Sequence, residues 1–283
     1  MAEKSRNFRS TYYDKVGFRG VEEKKALEIL INEKPMDKEK MSKFCLRFTL
    51  PSMYREYVWK ILLDVLPCVS ECHESIINQR ALHYEDLENS LKVMRKIDET
   101  THKSTVHTLM YLMTLDVLEF DLEAQLSSSS VQSLIALASF FLKFSSSDVI
   151  AYWLFRNFTL HLKKQHSNFK NQTENVESIL RKEDEVLHEH LKLTKAFDVL
   201  PLNAWFERCF AKVLHESSLV RVCDKVIGGS SKILPYVGIA MLIVHRNQLI
   251  CMSNSEEIVE LLVKNSEDTS DVIVNKALDM YSS

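Results

Sequence analysis

Glycine and proline are scarce in this chain, five of each among 283 residues. Sheet-rich folds need many turns of special backbone geometry, and such turns draw on these two residues, so the scarcity favours long helices. A dominant charge is also missing. The formal net charge is −3, with acids and bases interspersed, which leaves no strong field for nucleic acid. Long apolar runs are absent as well. The longest, Ile233 to Val244, contains Pro235 and Gly238, and it falls well short of the roughly 20 residues that a bilayer span needs. It reads as a core helix, and no transmembrane segment is expected. The six cysteines have no framework spacing, and the start MAEKSRNFRS lacks the apolar centre of a signal peptide; both point to reduced thiols in the cytosol. No Gly-rich phosphate loop, G-x-S-x-G elbow or H-E-x-x-H pair occurs. Cys68, Cys72 and His73 cluster, but a structural zinc site needs four ligands and no second half follows. No metal and no cofactor are therefore expected.

What the chain does hold is helical periodicity. A chain of this length buries roughly three quarters of its unfolded surface without staples. Leu50 to Pro67, LPSMYREYVWKILLDVLP, places apolar residues around most of a helix. Pro51 and Ser52 suit its start, and Pro67 its end. Within it Arg55 reads either as a helix-end charge reaching solvent or as a buried arginine tying backbone or carboxylates together. Further helices are expected over Val21 to Ile31, from an Asp37 cap to Phe48, over 74 to 98, and over Val106 to Leu118. Beyond a polar stretch they continue over Val131 to Phe144, from Asp148 through Phe158, and over Val176 to Lys195. Pro201 opens the next, Gly228 and Gly229 end another, and Ser255 and Thr269 or Ser270 cap the last two. Residues 166–175 read as a loop. The acidic and serine-rich stretch 119–130 is the best internal boundary. It divides a basic and aromatic arm (1–20) and a first lobe (21–125) from a second lobe (126–283). The fold class is all-α.

Three segments together resemble a known family. Arg55, Trp59, Leu62 and Leu63 are similar to an R-x-x-x-W-x-x-L-L helix. DVIAYWLFRNF, Asp148 to Phe158, is similar to an aromatic helix opening a second lobe. WFERCF, Trp205 to Phe210, followed by Arg221, Asp224 and Gly229, is similar to a W-F-x-x-x-F and R-x-W-D signature. The family is the TBC domain, the bilobal all-helical fold of GTPase-activating proteins for Rab GTPases, and the match runs over about 45–262. Cys223 departs from it, standing where tryptophan is usual. The resemblance makes Arg55, Trp59, Trp205, Phe206 and Asp224 a fold signature.

The same resemblance bears on catalysis. Active members place an arginine and a glutamine in the GTP site, one offsetting charge on the transferred phosphate and one orienting water. If Asp98 is the aspartate of the family's I-x-x-D-x-x-R, the arginine position is Thr101. Its Y-x-Q falls on Tyr111, Leu112 and Met113, which puts a thioether in place of the amide. No catalytic residue is therefore expected, and the implied function is a non-catalytic subunit. A displaced finger, Arg95, is the alternative, in an active Rab GTPase-activating protein. The N-terminal run NFRSTYYDKVGFRGVEEKKALEIL, the PSMYR start and ESSLVRVCDKVIGGSSKIL resemble the branch of the family that serves the tuberous sclerosis complex. That resemblance implies hamartin's C-terminal coiled coil as partner and, through it, tuberin, which supplies activity towards Rheb and so restrains mTOR signalling. It also implies a cytoplasmic protein recruited peripherally to lysosomal or vesicle membranes. An apolar groove for such a coiled coil is expected from Leu87, Leu91, Met94, Met110, Leu112 and Leu115.

Overall fold

A computed structural model describes residues 21–165 and 169–282. The basic and aromatic arm, 1–20, lies outside the described residues. In chain order the helices are α1 (Val21–Asn32), α2 (Lys38–Arg47), α3 (Ser52–Leu62), α4 (His73–Val93), α5 (Lys103–Thr114), α6 (Leu122–Ser127), α7 (Ser129–Phe144) and α8 (Asp148–Gln165). There follow α9 (Phe169–Glu183), α10 (Glu185–Leu193), α11 (Ala196–Val199), α12 (Leu202–Glu207), α13 (Glu216–Ile227), α14 (Ile233–Val244), α15 (Arg246–Leu249), α16 (Ser255–Val263) and α17 (Glu267–Ser282). Among the described residues the only β feature is an isolated bridge between Ala211 and Leu214.

The helix starts follow local hydrogen-bonding chemistry. Asp37 caps α2 by accepting from the Lys40 amide at 3.0 Å, and Asp184 caps α10 in the same way through Leu187. Three expected caps sit elsewhere. Ser52 is the first residue of α3, and Pro51 before it makes no side-chain cap. Asn254, not Ser255, caps α16 through the Glu256 amide. α17 begins ahead of Thr269, whose amide donates to Ser266. The serines of the expected linker are also helical: Ser128 caps α7 by accepting from Val131. Residues 169–175 belong to α9 and not to a loop; no proline or glycine interrupts 169–183, and the Val176, Leu180 stripe is buried. The expected helix over 176–195 is two, divided at Asp184.

One continuous apolar core joins these elements. α14 is packed on nearly every side, against α9, α13 and α17, which accounts for its uniformly apolar sequence. α7 packs against α5, α8 and α12. Around Trp59 of α3 stand Phe140, Phe141 and Phe144 of α7, the last stacked at 4.4 Å between ring centroids. Such ring pairs add about 0.5–1.5 kcal/mol beyond area burial.

The end of α13 shows how closely the elements meet. Gly228 caps it, and Gly229 takes the left-handed φ of +101° that L side chains rarely adopt. A Cβ on Gly228 would lie 3.0 Å from the Cys45 Cβ and 3.2 Å from the carbonyl oxygens of Asp224 and Ser42. Gly228→Ala is therefore expected to destabilise the protein by about 1–3 kcal/mol through overpacking, read as a lowered midpoint in urea unfolding.

Candidate functional site

Two regions carry the functional question: a buried polar knot around Asp224, and the surface from the end of α4 through the loop after α5. The knot begins with helix periodicity. α3 buries Val58, Trp59, Ile61 and Leu62, and Arg55, one turn before Trp59, lies on the same side. Its guanidinium is buried. Arg55 Nε donates to Asp224 Oδ1 at 3.1 Å and Oδ2 at 3.2 Å, and Nη2 donates to the Leu50 carbonyl at 2.5 Å. Trp59 Nε1 donates to the same Asp224 Oδ1 at 2.9 Å. Burial pushes the Asp224 carboxyl above its ordinary range, and Arg55 and Trp59 pull it back. The convergence of three donor contacts is a carboxylate's arrangement. Of the two readings of Arg55, the buried one holds.

Lys225, the neighbour of Asp224, escaped the sequence reading. It is buried, and its ammonium donates to the carbonyls of Cys45 at 2.9 Å, Leu46 at 3.0 Å and Phe48 at 2.9 Å. It thus satisfies carbonyl groups at the C-terminal end of α2. Ser42 Oγ reaches the Gly228 carbonyl at 2.6 Å. On the outer side of α13, Arg221 donates to Asn275 and Asp271 of α17. Cys223 is fully buried, with its sulfur 3.9 Å from that of Cys209. Trp205 and Phe206 are core residues, and each ring packs against Phe210. Most of these groups bond across helices, so the knot clamps α2, α3 and α13 together.

The second region is open to solvent. Thr101 lies in the turn between α4 and α5, where its hydroxyl donates to Asp98 Oδ1 at 3.0 Å and accepts from the Asp98 amide at 3.0 Å. Hydrogen bonds from Thr100 and Thr101 hold the Asp98 carboxyl below its ordinary range. Met113 is half-buried near the end of α5 and packs on the core. Arg95 is exposed in the turn after α4, with a left-handed φ of 56°. From Lys96 through Phe155 the sequence contains no arginine at all. Its two glutamines there make local bonds: Gln125 to the Val117 carbonyl and Glu119 amide, Gln132 to the Leu126 carbonyl.

The residues expected to line a groove are not together on the surface. Leu91, Met110 and Leu112 are buried in the core, and Leu87 and Leu115 are half-buried against it. Only Met94 is exposed. α5 is packed on both sides, by α4 and by α7, which draws its apolar residues inward. The exposed apolar groups nearby are Val93 and, in the loop after α5, Val117 and Phe120, the last 98% exposed. Lys96 ties the two stretches together. Its ammonium donates to the carbonyls of Glu119 at 3.2 Å and Phe120 at 2.9 Å and stands 5.1 Å from the Phe120 ring centroid.

Helices arranged in this way, with the Arg55, Trp59 and Asp224 clamp between α3 and α13, define a TBC domain. Residues 52–250 match the family model Rab-GTPase-TBC domain, and the chain belongs to that family. Its relatives include TBC1 domain family member 7 of Xenopus tropicalis, 41% identical over 99% of this chain and 96% of that one. The Homo sapiens protein of the same name is 39% identical over 99% and 95%. Among solved structures, the Chlamydomonas flagellar RabGAP TBC domain superposes with a TM-score of 0.62 at 12% identity, covering 100% of this chain and 97% of that one. The YPT/Rab-GAP domain of Gyp1p gives 0.57 at 12% identity, covering 93% and 98%. At that identity the two structures speak for the fold alone.

Removing one partner from the knot leaves a buried charge uncompensated. Arg55→Met is expected to cost about 3–5 kcal/mol. Adding Asp224→Asn is expected to recover part of that loss, a coupling read from a double-mutant cycle of unfolding free energies. A second buried group sets a pH dependence. His107 of α5 is fully buried, with Nε2 3.2 Å from the Tyr84 hydroxyl. Burial, helped by the Lys103 ammonium, drives its pKa from 6.5 down to about 3. The unfolded chain therefore binds the proton first as pH falls, and stability drops from about pH 6.5 downward. Between pH 7 and pH 5 this group removes about 2 kcal/mol. Urea midpoints measured at both pH values for His107→Gln should show that part of the acid slope gone.

Proposed function

We propose that this protein is a non-catalytic TBC-domain subunit that binds a coiled coil, namely hamartin's C-terminal coiled coil, within a tuberous sclerosis complex. Through it the protein supports tuberin's activity towards Rheb and so restrains mTOR signalling at lysosomal membranes. The observation that carries the reading is the stretch from Lys96 through Phe155, which has no arginine. A Rab-activating TBC domain needs a guanidinium beside the transferred phosphate, worth factors of about 10³–10⁵ in rate. With Asp98 taken as the family's aspartate, Thr101 takes the arginine position; it has no cation, and its hydroxyl donates to Asp98. Met113, at the glutamine position, cannot orient a water as an amide does. The high identity to proteins named TBC1 domain family member 7 supports the same assignment. Of the six groove residues first expected, the contact face keeps only Met94 and adds the exposed Val93 and Phe120, where Lys96 joins the end of α4 to the loop after α5.

Arg95 keeps the competing reading alive, because it is exposed in a turn beside that face. Geometry at the ångström level governs such a group, and Arg95 precedes Asp98 instead of following it. GTP hydrolysis by a Rab panel and by Rheb is expected to be unchanged when the purified protein is added alone. Immobilised hamartin coiled coil is expected to retain the protein, and Phe120→Asp is expected to weaken retention at least tenfold. Rab hydrolysis accelerated by the wild type but not by Arg95→Ala would replace this reading with the enzymatic one.

A further inference from the structure

α4 and α8 bring two arginines onto one indole. Trp153 of α8 is buried, with its Nε1 donating to the Arg80 carbonyl of α4 at 3.1 Å. The Arg80 guanidinium lies 4.1 Å from a Trp153 ring centroid and that of Arg156 lies 5.5 Å from it. Two like charges are thus held within reach of a single ring. Neither has a carboxylate in ion-pair range among the described residues. Arg80 Nη2 donates to the Asp64 carbonyl at 2.8 Å, and Arg156 Nη1 donates to Asn157 Oδ1 at 3.0 Å. The acid nearby, Asp64, has its carboxylate 2.5 Å from Lys38 Nζ. Seven residues beyond Arg156, on the same face of α8, Lys163 is exposed and stands 5.3 Å from the Tyr111 ring centroid. In a chain whose net charge is −3, this is a concentration of positive charge with no ion pair among the described residues.

The arrangement is costly as it stands. Burial and the neighbouring Arg156 both depress the Arg80 pKa, and the Asp64 carboxylate only partly counters them. Cation–π contact with Trp153 offsets some of this, at about 0.5–2 kcal/mol for each guanidinium. Arginines held by an indole are also pre-organised, so little rotamer freedom remains to be lost when their forks engage an anion. A single carboxylate neutralises one of the two charges. A phosphomonoester brings −1.5 to −2 at neutral pH and three acceptor oxygens, enough for both forks at once.

We infer that Arg80 and Arg156, held by Trp153, form an oxyanion site for a phosphomonoester, with Lys163 at its margin. This site is distinct from the apolar face around Phe120 and does not depend on the coiled-coil reading. The indole provides its own reporter. The chain has three tryptophans; Trp59 and Trp205 are fully buried, and the two guanidinium contacts are with Trp153. In the full-length protein labelled with nitrogen-15, the Trp153 indole resonance is assigned through Trp153→Phe. Phenyl phosphate is then titrated at constant ionic strength, with glutarate and chloride in parallel. A saturable shift of that resonance is expected with phenyl phosphate, at least tenfold weaker with glutarate and absent with chloride. Arg80→Gln and Arg156→Gln are each expected to weaken it at least tenfold; should either variant melt early, Arg80→Lys and Arg156→Lys keep the charge, lose the fork and should weaken it as well. Flotation with phosphatidylcholine vesicles, with and without phosphatidylinositol 4-phosphate, separates the sources. Phosphoinositide-dependent flotation lost in Arg156→Gln assigns a lipid headgroup, and binding of phenyl phosphate without flotation assigns a soluble phosphate ester. No saturable shift, equal shifts with glutarate and phosphate, or a shift indifferent to both arginines would overturn the site.

Discussion

The Asp224 carboxylate, buried with Arg55 and Trp59 converging on it, is the constraint around which the helices settle. The donors come from α3 and the acceptor from α13, 169 positions apart for Arg55. Such a contact forms only when distant parts of the chain are correctly placed. Its net free energy is modest at best, because desolvating both charges offsets most of their attraction. What it supplies is selectivity. An apolar α3 could rotate or slide along α13 at small cost, whereas a rotation that parts Arg55 from Asp224 leaves two buried charges alone. Lys225 extends the same logic to α2, whose terminal carbonyls it satisfies. The close approach of Gly228 to Cys45 then leaves little room for α2 to shift.

Most of the fold was legible in the sequence because most of it follows from periodicity. α1, α2, α7 and α14 lie close to where apolar spacing places them. The misplacements share a physical origin. Ser52, Ser255 and Thr269 are good caps by residue type, but a cap is defined by the amide it accepts from: Asn254 and Ser266 took that role for the last two, and Ser52 lies inside α3 behind a proline that makes no side-chain cap. The serine run at 127–130 has the composition of a linker, yet a serine with a free amide three residues on is equally a helix start. Residues 169–175 look like a loop because they are polar, and polarity describes exposure, not backbone conformation.

The sites were less legible, for reasons of sequence distance. Arg55 could be marked as unusual on an apolar helix, but its partner could not be read locally. Leu91, Met110 and Leu112 read as a surface by sequence because they lie on helices richly supplied with apolar residues. Packing of α5 by both α4 and α7 turned them into core and left exposed a phenylalanine in a loop. Lys225 gave no signal, since a lysine on a helix is ordinarily solvated and only the carbonyls at the end of α2 make it structural. Trp153 and Arg156 have the spacing of helical neighbours in plain view, but the second guanidinium comes from a residue 73 positions earlier.

These separations explain how a fold can persist while its surface changes. The Asp224 knot and the ring cluster around Trp59 lie inside, where a single substitution leaves a charge or a cavity. Thr101, Met113 and the loop bearing Phe120 lie on turns or helix ends, where substitutions away from special features commonly move stability by no more than about 0.5 kcal/mol. Little in the architecture ties the identity of those surface residues to the integrity of the core. A TBC scaffold can therefore lose a guanidinium at its edge and keep every helix in place. The same freedom lets new chemistry collect elsewhere on the surface, provided a core residue anchors it, as Trp153 does for Arg80 and Arg156.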